Sequence, residues 1–180
     1  MSLYLAESVL PQNLREKATL ENAAEKVTIQ AQNRNSALIE VQAADDLSRV
    51  FFILESDDQK TVRDLLAESE IPVTLVKQVR LLGEELETIR QNPSEVKYLV
   101  EWNLPEGLTM DAYLKRKSEN SVHYAEVPEV TFQRTYVCED MTKCLCLYEA
   151  PGKDSIYKAR DAVKAPVDAI TETIRISINK

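Results

Sequence analysis

Displaced by 94 residues, this chain of 180 residues aligns with itself without a gap over about 80 positions. Tyr4-Leu5-x-Glu7 falls on Tyr98-Leu99-x-Glu101, Leu10-Pro11 on Leu104-Pro105, and Leu14 on Leu108. Ala18, Leu20 and Glu25 fall on Ala112, Leu114 and Glu119. Asp46 meets Asp140, Glu55 meets Glu149, and Pro72-Val73 meets Pro166-Val167. These thirteen identities are roughly twice or more the number that average residue usage gives by chance. Self-similarity on this scale is an internal duplication, so the fold must hold one unit twice.

The two copies predict the same order of elements. In the first, Leu3 to Val9 reads as a strand and Leu10-Pro11 as its breaker. Good helix formers run from about Gln12 to Gln32. Strands follow at Ala37–Gln42 and Arg49–Glu55 around a turn at Ala43–Asp46. Ser56-Asp57-Asp58 can cap a helix from Gln59 to Ser69, and Pro72 opens a strand over Val73–Leu82. The second copy predicts strands at Lys97–Asn103, Val130–Val137, Thr142–Glu149 and Val167–Ile178. Its helices are expected from Thr109, capped by Thr109 or Asp111, to about Tyr124, and from Asp154 to Lys164. This divides the chain into repeats at 1–83 and 96–180 with a linker at 84–95, helical around Glu84–Arg90.

Each copy is β-α-β-β-α-β, the ferredoxin-like unit, whose two helices cover one face of a four-stranded sheet. The third strand of the first copy is apolar on both faces, with Val50, Phe52 and Leu54 against Phe51 and Ile53. The second copy has Cys144, Cys146 and Tyr148 against Leu145 and Leu147. A strand apolar on both faces is buried on both faces. The expected fold is therefore α+β: two tandem ferredoxin-like units packed sheet-to-sheet as a pseudo-dimeric α/β barrel.

The net charge of −8 opposes non-specific nucleic-acid binding, which needs Lys and Arg to neutralise phosphates. No apolar run approaches the roughly 20 residues of a membrane helix. The start of the chain lacks a basic region and carries Glu7 early, which points to the cytoplasm. Cys138, Cys144 and Cys146 are too few and odd in number for a disulfide framework. Cys144 and Cys146 share one face of a strand; the pair alone falls short of the four ligands of a structural zinc site and reads as core. With Gly83, Gly107 and Gly152 as the only glycines there is no phosphate loop, and no G-x-S-x-G motif occurs.

Leu104-Pro-Glu-Gly-Leu-Thr109, Val130-x-Phe132-x-Arg134, Cys146-Leu-Tyr-Glu-Ala-Pro151 and Ala165-Pro-Val-Asp-Ala-Ile170 carry a resemblance. The second copy resembles a family of small bacterial ferredoxin-like domains of unknown function related to a nickel-binding protein. The first copy looks like a diverged duplicate that keeps Leu10-Pro11, Glu55 and Pro72. The resemblance implies a barrel made by two units. It also implies metal-binding histidines on the first strand, in the first helix and beside the late proline. This chain places Glu101-Trp102, Lys117 and Ala165 there, so the family's metal site is degenerate; an imidazole-rich site is what nickel normally takes.

The candidate ligand-binding residues are Glu101, Trp102, His123, Cys146, Tyr148 and Glu149. Glu101 and Glu149, with Glu7 and Glu55 in the first copy, lie on strands that are neighbours in this fold, where paired carboxylates bind a hard cation or share a proton. Their structural reading is solvated strand ends. His123 sits past a helix end, where a cation suits the helix dipole. Trp102, Tyr98, Tyr136 and Tyr148 would stack on a flat ligand or pack the core. The expected function is a non-enzymatic cytoplasmic binding protein of the nickel-binding-protein-like family. Its ligand would be a small molecule, a nickel or zinc ion, or a protein partner. No cofactor, nucleic acid or membrane is expected, and a monomer is expected, because one chain supplies both halves of a pair. The alternative is a cofactor-independent dimeric α/β-barrel enzyme of the small monooxygenase or isomerase type, with Glu101 or His123 as base and the tyrosines positioning substrate.

Overall fold

The computed structural model describes residues 1–178. The strands are β1 (Ser2–Val9), β2 (Ala37–Ala44), β3 (Arg49–Ser56), β4 (Leu75–Leu82), β5 (Tyr98–Asn103), β6 (Thr131–Cys138), β7 (Lys143–Glu149) and β8 (Ala169–Arg175). The α-helices are α1 (Lys17–Gln32), α2 (Gln59–Glu68), α3 (Leu86–Gln91), α4 (Met110–Asn120) and α5 (Lys153–Ala162). The hydrogen-bonded strand order is β1-β3-β2-β8-β5-β7-β6-β4, which closes on itself as the expected α/β barrel. Two compact units make up the chain: 1–79 with 89–92 and the residues from Thr173 on, and 80–88 with 93–172.

In the first unit, β3 pairs antiparallel with β1 and β2. Tyr4, Ala6, Val41, Val50, Phe52 and Leu54 turn toward Leu20, Ala24 and Val27 of α1 and Val62, Leu65 and Leu66 of α2. Full burial of one such Leu or Phe contributes about 1.5–3 kcal/mol. The opposite face of β3 is buried too, at Phe51 and Ile53, as its unbroken apolar run predicts. The second unit repeats the plan with β7 between β5 and β6, its core formed by Trp102, Cys144, Cys146 and Tyr148 against Tyr113, Ile156 and Ala159.

The duplication holds at the level of single hydrogen bonds. Asp46 Oδ1 accepts from the backbone N–H and hydroxyl of Ser48, and Asp140 Oδ1 does the same for Thr142. Leu10 N–H donates to Ser48 O, and Leu104 N–H to Thr142 O. Each second strand carries a bulge at the same place, Leu38/Glu40 and Phe132/Arg134. Glu7 accepts from Arg49 at 2.8 Å and Glu101 from Lys143 at 3.0 Å, again equivalent positions.

Several expected boundaries move. The first helix starts at Lys17, not Gln12: a 3₁₀ turn covers Gln12–Leu14, Arg15 and Glu16 leave helical geometry, and Arg15 Nε ties back to Leu10 O. The helix from Thr109 ends at Asn120 and tightens into a 3₁₀ segment, Ser121–Glu126; Thr109 is its cap, accepting from Ala112 N–H. The strand expected from Val73 starts at Leu75, leaving Pro72 ahead of it, and the last strand is Ala169–Arg175 rather than 167–178.

Candidate functional site

The site forms in the second unit, between β5, β7, α4, the 3₁₀ segment and α5. Alternation along β7 turns Cys144, Cys146 and Tyr148 to the helix-covered face, where Trp102 of β5 lies beside them. Above them α4 presents Tyr113, Arg116 and Lys117, and the 3₁₀ segment brings in Tyr124. On α5 the stripe Ile156, Ala159, Arg160, continued by Val163 just past the helix end, is a core stripe with an arginine in it. A cavity of about 30 Å³, on the scale of two water molecules, opens among Trp102, Tyr113, Lys117, Tyr124, Cys146 and Arg160. Exposed Arg116 stands at its edge, its guanidinium 5.4 Å from the Trp102 ring centre.

Arg160 is 2% exposed. Its Nη1 donates to the Tyr148 hydroxyl at 3.0 Å and its Nη2 to Pro166 O at 2.6 Å, while Nε has no partner. The Tyr148 hydroxyl lies 2.6 Å from that of Tyr124, which stacks on Phe132. Lys117 Nζ sits 4.3 Å over the Phe132 ring. Thr135 Oγ1 donates to Cys146 Sγ at 3.2 Å.

These neighbours split the ionisation of the two cysteines. Hydrogen bonding from Cys144 holds the Cys146 thiol well below the ordinary thiol value against the cost of burial, helped by Arg160, Lys117 and Thr135. Cys144, tied to Cys146 and buried, is pushed well above it. Burial, then Cys146, raises Tyr113, Tyr124 and Tyr148, so their hydroxyls stay protonated. Burial works against the Arg160 charge, but Cys146 and Tyr148 outweigh it.

Of the six expected site residues, Trp102 and Cys146 line the cavity and Tyr148 bonds to two residues that do. Glu101 lies on the other face of β5, paired with Lys143. The expected approach of Glu101 to Glu149 does not occur: Glu101 faces Leu145, four residues along β7, roughly 13 Å away at strand spacing. The same register separates Glu7 from Glu55, and Glu55 pairs with Arg90. His123 does not line the cavity; its Nδ1 lies 2.6 Å from exposed Glu126. Lys117 and Ala165, which stand where the resemblance puts histidines, do line it.

Sequence reasoning missed Arg160, Tyr113 and Tyr124. Arg160 had a signal: the equivalent first-copy position is Leu66, and Cys146 answers to Phe52. Two large apolar residues in one copy become a small thiol and a cation in the other, which leaves space and charge together.

A divalent cation does not fit this lining. It holds three cationic side chains and neither carboxylate nor imidazole, and no cluster of three or more His, Cys, Asp or Glu occurs among the described residues.

Fold and site together define an α+β protein of the dimeric α/β-barrel type with both halves in one chain. Residues 98–173, which span most of the second repeat, match the family described as nickel responsive protein SCO4226-like. The structure of a candidate chlorite dismutase, TA0507, superposes with a TM-score of 0.58 at 11% identity, covering 97% of this chain and 95% of that one. A candidate monooxygenase from Lactobacillus acidophilus NCFM gives 0.53 at 9% identity, covering 98% and 94%. At such identities the likeness is one of fold. No curated protein matches the chain in sequence.

Proposed function

We propose that this is a binding protein whose ligand is a small anion, a carboxylate or oxyanion head group, seated in the cavity of the second repeat. The observation that carries the reading is Arg160, a buried guanidinium with an unpartnered Nε in a cavity without a carboxylate. A buried charge costs several kcal/mol unless an opposite charge answers it. Cys146 offsets part of this positive charge from within, and a planar head group on the guanidinium, with Lys117 beside it and Arg116 at the mouth, answers what remains of the three cations. The small volume suits the head group alone, with the rest of a larger ligand outside. In this reading the family's metal position has become an anion position. Three buried free cysteines suit a reducing compartment, so the protein acts in the cytoplasm.

Trp102, the one tryptophan of the chain, lines the cavity and reports on it. Titration with acetate, sulfate or phosphate is expected to change its emission saturably, with one-to-one heat in calorimetry. Arg160→Met should abolish the response; Lys117→Gln, on a half-exposed position, should weaken it by roughly two- to fivefold. One-to-one binding of nickel or zinc, with no response to any anion, would sink the reading.

A further inference from the structure

We propose that Cys146 is a peroxide-reactive modification site: hydrogen peroxide or a small organic hydroperoxide enters the cavity and oxidises its sulfur to sulfenic acid. The inference uses the same cavity as the anion reading but needs no anion ligand. Three features of the geometry carry it. Cys146 is the only one of the three cysteines that lines the cavity, and about 30 Å³ accommodates a molecule of two oxygens. Its Sγ accepts the Thr135 hydroxyl at 3.2 Å, which leaves the sulfur as the acceptor. The unpartnered, buried Nε belongs to Arg160 in the same lining, a cation that a sulfur anion would balance from within the protein.

The charged and titratable groups that face Cys146 come from every element packed on it. They are Cys144 and Tyr148 on β7, Tyr113 and Lys117 on α4, Tyr124 on the 3₁₀ segment and Arg160 on α5. The tyrosines and Cys144 are held toward their protonated forms, whereas the hydrogen bond from Cys144 and the cations Arg160 and Lys117 favour the anionic form of Cys146. An ordinary thiol is only a few per cent ionised at neutral pH, and the thiolate is the nucleophile.

In the reaction the Cys146 sulfur attacks one peroxide oxygen. An S–O bond forms, the O–O bond breaks, and hydroxide leaves to take a proton from solvent. Sulfur loses two electrons and the peroxide gains them. The thiol within reach is Cys144, which hydrogen-bonds to Cys146. It keeps its proton, and two residues along one strand put the Cα atoms roughly 6.6 Å apart, near the upper limit for a disulfide, so it resolves the sulfenic acid poorly. The sulfenic acid is therefore expected to persist until an external thiol reduces it.

The test treats the full chain with hydrogen peroxide in the presence of dimedone and maps adducts by mass spectrometry. Cys146 is expected to be labelled roughly tenfold faster than Cys138 or Cys144 at pH 7. Cys146→Ser should abolish the fast label. Lys117→Gln should slow it by about threefold and shift the pH midpoint of iodoacetamide labelling upward, with the far-UV spectrum unchanged. Faster labelling at Cys138 or Cys144, or no adduct on Cys146 at the pace of free cysteine, would overturn the proposal. Saturating sulfate should slow the labelling if the anion reading also holds. Fast labelling that sulfate leaves untouched would count against the anion ligand alone.

Discussion

Arg160 and Leu66 occupy equivalent positions, and the difference between the repeats is concentrated in such single residues. Trp102, Cys146 and Tyr148 were legible as neighbours because strand pairing and alternation put them on one face. The carboxylates misled, because a register read from strand order does not say how far along the neighbour a side chain lies. Arg160 was hidden because a lone arginine in a helix reads as solvent-facing until the apolar stripe around it is placed against a core. At the same scale, Asp58 caps α2: its Oδ1 accepts from Thr61 N–H at 2.7 Å, which together with the Thr61 hydroxyl holds its carboxyl below the ordinary value of 3.8. A carboxyl depressed by folding stabilises the native state above its unfolded value, and that contribution is lost as pH falls through the native value. Asp58→Asn keeps an acceptor for the cap but removes the titration. Its urea midpoint is therefore expected to fall less steeply than that of the native protein below about pH 4. Parallel slopes from pH 5 to pH 2 would remove Asp58 from the acid response.

At the scale of elements, both copies end their second helix by the same device. Glu70 and Lys164 adopt left-handed backbone with φ of 61° and 57°. Ile71 N–H reaches back to Leu66 O and Ala165 N–H to Arg160 O, each at 2.9 Å, the long bond of a Schellman ending. In the second copy this ending sets both Arg160 and Ala165 on the wall of the cavity. The order of elements was legible because periodicity and the repeat agreed in both halves. The ends of these helices were legible to within two residues, but their left-handed turn was not, because the residues that turn the chain are a glutamate and a lysine where glycine would have announced it. The same absence of punctuation hid the break after Leu14. Glu70 is exposed, so its side chain gives up little if removed. Glu70→Gly is expected to relieve the left-handed strain and raise stability by about 0.5–1 kcal/mol, net of glycine's extra unfolded-state entropy. A rise in the urea midpoint with unchanged slope would show it. A fall would mean that the backbone there is not strained.

For the molecule as a whole, the duplication sets the expected solution state. Folds of this type need two ferredoxin-like units, and a chain with one unit must find the second in another copy. Here both are written in one chain, and the strand order β1-β3-β2-β8-β5-β7-β6-β4 is closed, so among the described residues no strand is left at an open edge to recruit another molecule. The exposed large apolar side chains among the described residues are Met1, Val9, Ile29, Val122 and Tyr157, drawn from different elements rather than one run. Single exposed apolar residues are ordinary on a monomer surface, whereas a contiguous patch marks an interface. A net charge of −8 adds mutual repulsion at low salt. Size-exclusion chromatography with light scattering should therefore give the mass of one chain, 20.4 kDa, independent of concentration and ionic strength. A mass twice that value, persisting on dilution, would require an apolar interface outside the sheet. Loss of that dimer on Val122→Ser or Ile29→Ser would then locate it on the 3₁₀ segment or on α1.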